Sequence, residues 1–319
     1  MSGKRIKKTV KKEIEYTVSG EPLDFYISEE TVGYGTQKPY SLYYDNPSHS
    51  VKLLKGDCIK TLNQARENSV DMIFADPPYF LSNGGITCHA GKMVSVNKGK
   101  WDKSKGLEED HEFNREWLKA CQRVLRPNGT IWVSGTTHVI YSVGFAMQQN
   151  GFKILNDIVW YKRNAPPNLS CRYFTHSTEI VLWAAKNNKS KHYFNYPLMK
   201  EANHGKQMRN LWHFNEADEK QTAENVWTIS APLADEKHFG KHPTQKPLEL
   251  LRRIILASTK DGDLILDPFC GSSTTGVAAM LLNRKYVGID SEEGYLELSK
   301  KRIEEAIKKP SVSKLHKTA

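Results

Sequence analysis

Residues 263–290, DLILDPFCGSSTTGVAAMLLNRKYVGID, contain the sequence pattern that decides the fold class. A short apolar run ends at Asp267, and a segment of small residues follows it. An apolar stretch of helical length then begins at Thr274, and a second short apolar run ends at Asp290. A strand, a helix and another strand in this order predict a βαβ unit with parallel strands.

The same alternation of apolar strands and helices runs from residue 50 to residue 185 and resumes after residue 242. We therefore predict an α/β fold with a doubly wound, Rossmann-like parallel sheet. Ligands of such sheets bind beyond the carboxyl ends of the strands. A single acid at a strand end could be a helix N-cap, but several at one sheet edge indicate an acidic rim around a pocket. Four strands are followed by such an acid: Asp57, Asp76, Asp267 and Asp290.

The composition narrows the class of protein. The chain has 319 residues, 39% of them hydrophobic, and a formal net charge of +10, which suits a polyanionic partner such as DNA but does not require one. No apolar run could span a membrane, and the basic N-terminal segment lacks the apolar region of a secretory signal, so we expect a cytoplasmic protein. The five scattered cysteines, without CxxC spacing, predict reduced thiols and no metal site.

The glycine-containing segment after Asp267 has two possible ligands. Gly271 and Gly276 have the spacing of a phosphate-binding loop, but Val277 and Ala278 follow where lysine and serine or threonine are required. The GxGxxG dinucleotide fingerprint is also absent. A ligand that needs close backbone approach without phosphate charge fits better, and S-adenosylmethionine is such a ligand. Asp290 is then placed to accept hydrogen bonds from ribose hydroxyls.

FADPPYF, residues 74–80, ends another buried strand with an acid and two prolines. The exocyclic nitrogen of adenine is a poor nucleophile because its lone pair is delocalised into the ring. The Asp76 carboxylate and the Pro77 carbonyl are two acceptors that favour a pyramidal nitrogen, and Tyr79 offers a ring on which a flipped base could stack. The alternative is a strand-ending turn with an N-cap aspartate. Methylation of cytosine C5 needs a nucleophile in a Pro-Cys pair, and no proline here precedes a cysteine.

Three motifs in one order resemble a known family. DPPY (76–79), HPTQKP (242–247) and DPFCGSSTTG (267–276) resemble amino-methylating DNA methyltransferases of the circularly permuted β group, and the similarity covers roughly residues 50–305. ADPPYFLSNGG, NLSCRYFTHSTE and KHPTQKP resemble in particular the DpnA-type adenine-N6 methylases of restriction–modification systems. The resemblance implies a circularly permuted methyltransferase sheet with an inserted target-recognition lobe, S-adenosylmethionine as cofactor, and DNA, double-stranded or single-stranded, as substrate. It also suggests a homodimer.

The resemblance further implies a role for each matching residue. The catalytic motif comprises Asp76, Pro77, Pro78 and Tyr79. One position departs from the family pattern, because Ser273 stands where a second glycine is usual, which puts the local loop geometry in question. The implied cofactor-binding residues are Asp57, Cys58, Asp76, His242, Lys246, Asp267, Phe269, Gly271, Ser272, Ser273 and Asp290. His242 and Lys246 match the stretch that closes over the methionine end of the cofactor.

Shifts in composition divide the chain into segments. We expect a basic arm at 1–45, the catalytic half of the domain at 46–185, a target-recognition lobe at 186–241, the cofactor-binding half at 242–307 and a basic tail at 308–319. The lobe could instead be a solvated insertion. We expect the lysine-rich loop at 82–110 to close over DNA, and the alternative is a solvated linker. The segment around Arg172 either lines the path of the flipped base or packs in the core. The candidate DNA-binding residues are Lys92, Lys98, Lys100, Arg172 and Arg209.

The expected activity is transfer of a methyl group from S-adenosylmethionine to adenine N6 of a flipped-out base at a specific DNA site. N4-cytosine methylation is an alternative, although those enzymes more often have serine in place of Asp76. RNA amino-methyltransferases usually carry the motifs in the unpermuted order. A non-catalytic DNA-binding protein on the same fold is the remaining alternative, and the intact Asp76 and Asp267 argue against it.

Overall fold

The computed structural model describes residues 38–82, 86–89, 92–95, 99–162, 165, 167–168, 171–208, 210, 227–228, 232, 235–240 and 242–309. For 86–89, 92–95, 100, 227–228 and 235 only the backbone is described. The strands are β1 (Tyr40–Asn46), β2 (Val51–Gly56), β3 (Val70–Ala75), β4 (Ile86–His89), β5 (Lys92–Ser95), β6 (Leu125–Gly135), β7 (Lys153–Tyr161), β8 (Thr178–Ala185), β9 (Trp227–Thr228), β10 (Leu264–Asp267) and β11 (Lys285–Asp290). The α-helices are α1 (Cys58–Gln64), α2 (Leu107–Val124), α3 (Ile140–Gln149), α4 (Tyr196–Ala202), α5 (Leu248–Ser258), α6 (Thr274–Leu281) and α7 (Glu293–Ile307).

Within these residues, nine strands form one sheet in the order β1-β2-β11-β10-β3-β6-β8-β7-β9. The five strands from β2 to β6 in this order are parallel, as predicted from the alternation of strands and helices. The pairing of β10 with β3 joins two segments that are far apart in the sequence. The C-terminal strand pair β10–β11 therefore lies between β2 and β3, in the middle of the sheet.

Helices cover both faces of this sheet. On one face, buried side chains of α1, α2 and α3 pack on the strands, among them Leu62, Trp117 and Val143. On the other face, α5, α6 and α7 contribute buried side chains such as Ile254 and Ala278. The central strands are buried on both sides, and most of their residues are apolar for this reason. The arrangement confirms the doubly wound α/β fold.

The structure corrects several predicted elements. Residues 40–45, placed in the N-terminal arm, belong to β1, which pairs antiparallel with β2; the rest of the arm lies outside the described residues. The sequence pattern predicts a helix over 111–125 that ends at the turn-forming residues 127–129, whereas α2 begins at Leu107. Residues 127–129 lie inside β6, where the pairing with β3 has an irregular register. The sheet is also mixed, because β8 is antiparallel to both β6 and β7.

Two segments expected to be irregular contain regular structure. The predicted loop at 82–110 includes the β4–β5 hairpin and a short 3-10 helix at Lys100–Asp102. The predicted recognition lobe at 186–241 includes α4, whose Met199 is buried against the core of the main domain. It also includes β9, which extends the sheet beside β7. Helix α4 and strand β9 of that segment are therefore part of the α/β domain.

No described helix is long and apolar enough to cross a membrane. In the part of the chain that the structure describes, no three histidine, cysteine or acidic side chains are grouped so that they could hold a metal ion.

Candidate active site

The four predicted acids lie at one edge of the sheet around a single cavity. β3 and β10 are neighbours, and Ile73 pairs with Leu266, so the motifs that follow these strands begin side by side. The cavity has a volume of about 230 Å³ and lies beyond the carboxyl ends of the parallel strands. Of the predicted site residues, it is lined by Asp57, Cys58, Asp76, Pro78, His242, Lys246, Asp267, Phe269, Gly271, Ser272 and Asp290. Pro77, Tyr79 and Ser273 are not among the residues that line it.

Asp76 is held by three side chains. Its Oδ1 accepts hydrogen bonds from the hydroxyls of Tyr79 and Ser134, each at 2.7 Å. Its Oδ2 accepts a hydrogen bond from Lys246 Nζ at 2.5 Å. Burial opposes ionisation of this carboxyl, but the ammonium of Lys246 and the three hydrogen bonds prevail and lower its pKa below the ordinary value. Asp76 is thus an ionised, oriented hydrogen-bond acceptor rather than a strong base.

Lys246 is a buried cation between two carboxylates in a row of alternating charges. Besides Asp76, its Nζ lies 3.8 Å from Glu179 Oε2, and Glu179 in turn pairs with Lys162. Burial disfavours the ammonium form, yet the carboxylates of Asp76 and Glu179 raise the pKa of Lys246 above its ordinary value. The resemblance implies that Lys246 closes over the cofactor; in the structure Lys246 lines the cavity and its ammonium binds the Asp76 carboxylate.

Tyr79 does not present a free ring face. Its side chain is only 4% exposed, and Lys246 Nζ lies 5.5 Å from the ring centroid. Burial, followed by the negative charge of Asp76, raises the pKa of its phenol well above the ordinary value, so the hydroxyl remains a donor to Asp76. The stacking role expected for Tyr79 therefore stays a prediction and requires this ring to become accessible.

Asp267 is a buried carboxylate, and among the described residues no cation lies at hydrogen-bonding distance from it. Its oxygens accept hydrogen bonds from Thr275 Oγ1 at 2.6 Å and from the Phe269 N–H at 3.1 Å. Burial raises the pKa of Asp267 to about 7, and the nearby charges of Asp76 and Asp290 add to the effect. A positively charged ligand in the cavity would offset this cost, because an opposite charge favours the ionised form.

Asp290 and α7 hold the loop that follows Asp267. Asp290 Oδ2 accepts a hydrogen bond from the Gly271 N–H at 2.8 Å, and burial raises the pKa of this carboxyl. From α7, Ser299 Oγ donates to the Gly271 carbonyl at 2.7 Å and Arg302 donates to the Ser272 carbonyl at 2.5 Å. A Cβ atom at Gly271 would lie 2.9 Å from the His242 ring, so only glycine allows that ring to pack on the loop.

The backbone conformation of Ser273 shows how the loop accommodates serine where the family usually has a second glycine. Its backbone is left-handed, with φ 49° and ψ 46°, the conformation that a glycine adopts without steric cost. For serine this conformation costs on the order of 1 kcal/mol. The side chain is buried, and its hydroxyl shares a 3.1 Å hydrogen bond with the Tyr286 hydroxyl. The loop therefore keeps a glycine-like geometry with a serine in place.

Three functional candidates were missed in the sequence: Ser134, Glu179 and Asp102. Ser134 lies at the end of β6, next to β3, so a polar residue at a strand end was its available signal. Glu179 is buried near the start of β8, and its charge in an otherwise apolar strand was a weak signal. Asp102 follows a lysine-rich segment, and nothing in the local pattern singles it out.

The predicted DNA-binding residues are only partly described. Lys98 and Arg209 lie outside the described residues, and for Lys92 and Lys100 only the backbone is described. Arg172 is exposed, and so are its neighbours Tyr173 and Phe174, the latter at 96%. The alternative that this segment packs in the core is therefore wrong.

Comparison with known proteins identifies the family to which the chain belongs. A family model described as "DNA methylase" matches residues 70–301. The chain belongs to this DNA methylase family. The methylase is 56% identical over 263 residues to the Type II methyltransferase M2.DpnII of Streptococcus pneumoniae, covering 82% of this chain and 92% of that protein. It is 50% identical over 263 residues to the Type II methyltransferase M2.MboI of Moraxella bovis, covering 82% and 91%.

Solved structures of methyltransferases share the fold of this DNA methylase. The M1.HpyAVI–SAM complex superposes with a TM-score of 0.55 at 26% identity, covering 79% of this chain and 98% of that one. The cytosine-N4-specific PvuII DNA methyltransferase superposes with a TM-score of 0.57 at 19% identity, covering 79% of this chain and 86% of that one. At that identity the second match supports the fold alone.

Proposed function

We propose that this DNA methylase is a site-specific enzyme of a restriction–modification system that transfers a methyl group to adenine N6 of a flipped-out base. The observation that carries the proposal is Asp76 of DPPY, ionised and oriented at the edge of an acidic cavity. Similarity to Type II methyltransferases over most of the chain supports the place in restriction–modification.

S-adenosylmethionine is the methyl donor, and the cavity fits it. The donor supplies a methyl group on a positively charged sulfur. Carboxylates outnumber cations on the cavity wall, and in the part of the chain that the structure describes no cation lies at hydrogen-bonding distance from the buried Asp267. Glycine at 271 keeps the loop backbone open beside His242, and aromatic rings such as Phe269 and Trp101 line the remainder of the cavity. Asp267, Asp290 and the loop between Phe269 and Ser272 are the proposed cofactor-binding groups.

Asp76 is the proposed acceptor for an N–H bond of the target amine. As the nitrogen forms its new bond to carbon it becomes positively charged, and a fixed carboxylate nearby stabilises that charge. Both oxygens of Asp76 are already occupied by Tyr79, Ser134 and Lys246. The amine must therefore replace one of these donors, and the Pro77 carbonyl is the proposed second acceptor. Because the pKa of Asp76 is lowered, the proton leaves the nitrogen toward solvent rather than remaining on Asp76.

Target recognition is assigned to the region at 186–241 between α4 and β9, with the exposed Arg172 segment and the lysines of 82–110 as further DNA contacts. The positive formal charge of the chain supports DNA as the partner. Tolerance of single strands, the homodimer, the cytoplasmic location and the remaining domain boundaries stay predictions.

The decisive experiment uses unmethylated DNA, methyl-labelled S-adenosylmethionine and mass spectrometry of the nucleosides. Labelled N6-methyladenine is the expected product. Asp76→Ala should abolish it, whereas Asp71→Asn, at the opposite end of β3, should retain it. Labelled N4-methylcytosine, or no label in DNA, contradicts the proposal. Mapping the labelled sites identifies the target sequence.

A further inference from the structure

Asp102 is a fully buried carboxylate outside the three motifs that identify the family. It lies in the short 3-10 helix Lys100–Asp102, more than twenty residues after the DPPY corner. Its Oδ1 accepts hydrogen bonds from the N–H groups of Tyr79 and Phe80, each at 2.9 Å. Its Oδ2 accepts from the Leu81 N–H at 3.2 Å and the Ser82 hydroxyl at 2.9 Å. One side chain thus binds four consecutive residues of the chain.

These four residues follow the catalytic corner directly. Pro77 and Pro78 have no N–H, so the Tyr79 N–H is the first backbone donor after Asp76. Phe80 has a φ of 57°, a left-handed conformation that a bulky residue rarely adopts unless its surroundings impose it. The hydrogen bonds to Asp102 supply that constraint. They therefore determine where the chain goes as it leaves Pro78.

The constraint reaches the catalytic carboxylate through Tyr79. Asp102 binds the backbone of Tyr79, and the hydroxyl of the same tyrosine donates to Asp76. A second connection leads to the cofactor cavity, because the adjacent residue Trp101 lines it. The backbone of Asp102 is itself held, since its carbonyl accepts from the Ser82 N–H at 3.1 Å and its own N–H donates to the Gly99 carbonyl.

We propose that Asp102 is a positioning residue for methyl transfer, which fixes the turn Tyr79–Ser82 and thereby the orientation of Tyr79 and Asp76. The inference rests on the proposed function of the same site. Asp102 does not line the cavity, so it acts through the turn. Loss of this constraint affects the chemical step more than the binding of the cofactor, which is assigned to Asp267, Asp290 and the loop between Phe269 and Ser272.

Asp102→Asn tests the proposal with little change of shape. The asparagine keeps one acceptor oxygen but turns an NH₂ group toward backbone N–H donors. Asp71→Asn is the matched control: Asp71 Oδ2 likewise accepts a backbone N–H, from Leu264 at 2.9 Å, but at the far end of β3. We expect Asp102→Asn to reduce kcat by about 100-fold, as a misplacement of about 1 Å can do. The Kd for S-adenosylmethionine should stay within about threefold of the control. This change is small compared with the expected loss of kcat.

Hydrogen exchange gives a second readout that does not depend on activity. The amides of Tyr79, Phe80 and Leu81 should exchange faster in Asp102→Asn than in Asp71→Asn, while the amides of β10 and β11 should not. A kcat within about threefold of the control, or unchanged exchange at 79–81, refutes the positioning role. Equal loss of kcat, cofactor binding and thermal stability would show a merely structural residue. If the wild-type enzyme does not methylate DNA, the proposed function fails, and exchange still decides whether Asp102 holds the turn.

Discussion

The affinity for S-adenosylmethionine should depend on pH through Asp267. In the free protein, burial raises the pKa of this carboxyl to about 7 from an ordinary value of 3.8. A cationic ligand beside it favours the ionised form, so the pKa falls on binding and a proton is released. At pH 6 only about one tenth of the free protein has an ionised Asp267, at pH 7 about half, and at pH 8 about nine tenths.

These fractions determine the size of the effect. Because the neutral form must lose its proton before the ligand binds well, the apparent Kd should weaken about tenfold from pH 8 to pH 6. About half a proton should be released per ligand bound at pH 7. The folding stability of the free protein follows the opposite trend. Since the native state keeps a proton that the unfolded state loses, the contribution of Asp267 to stability falls as pH rises from about 4 to 7.

Isothermal titration calorimetry in buffers of different ionisation enthalpy measures both the Kd and the proton release. Asp290 also has a raised pKa and lines the cavity, so Asp267→Asn is needed to assign the effect. This variant should bind more weakly at pH 8 and lose most of the pH dependence. S-adenosylhomocysteine, whose sulfur is neutral, should show a smaller dependence in the wild-type protein. A Kd that is constant between pH 6 and 8 would refute the reasoning about Asp267.

Two further substitutions test the charge on Asp76 and the loop geometry. Lys246→Gln removes the ammonium that lowers the pKa of Asp76, so the acid limb of the pH profile of kcat should move to higher pH. If the limb does not move, Lys246 does not control the ionisation of Asp76. Ser273→Gly should leave the free energy of unfolding within about 1 kcal/mol of the wild type, because relief of the left-handed strain offsets the loss of the Tyr286 hydrogen bond. Ser273→Val also loses the hydrogen bond to Tyr286 and places a β-branched side chain at positive φ. Urea denaturation should show a free energy of unfolding lower by about 2 kcal/mol or more. Equal stability of the two variants would contradict the argument.

The sequence by itself determined the fold class and most of the cavity. Apolar runs that end at Asp76, Asp267 and Asp290 indicate parallel strands whose carboxyl ends share one edge, because backbone sterics and βαβ handedness leave few arrangements. The cavity at that edge confirms the inference for these acids and for Asp57. The resemblance of DPPY and DPFCGSSTTG to a methylase family identified the chemistry, because those residues are consecutive in the chain.

Only the tertiary structure decided which side chains of the site contact one another. The order of the strands sets Asp76 beside Asp267, and packing brings Lys246 from a position 170 residues later onto the Asp76 carboxylate. Asp102 meets the N–H groups of Tyr79 to Leu81 across a segment with no periodic pattern. Such contacts depend on where separate elements come to lie after folding. Periodicity reports the local conformation and the buried face of one element, and it contains no information about which distant side chain completes a buried charge.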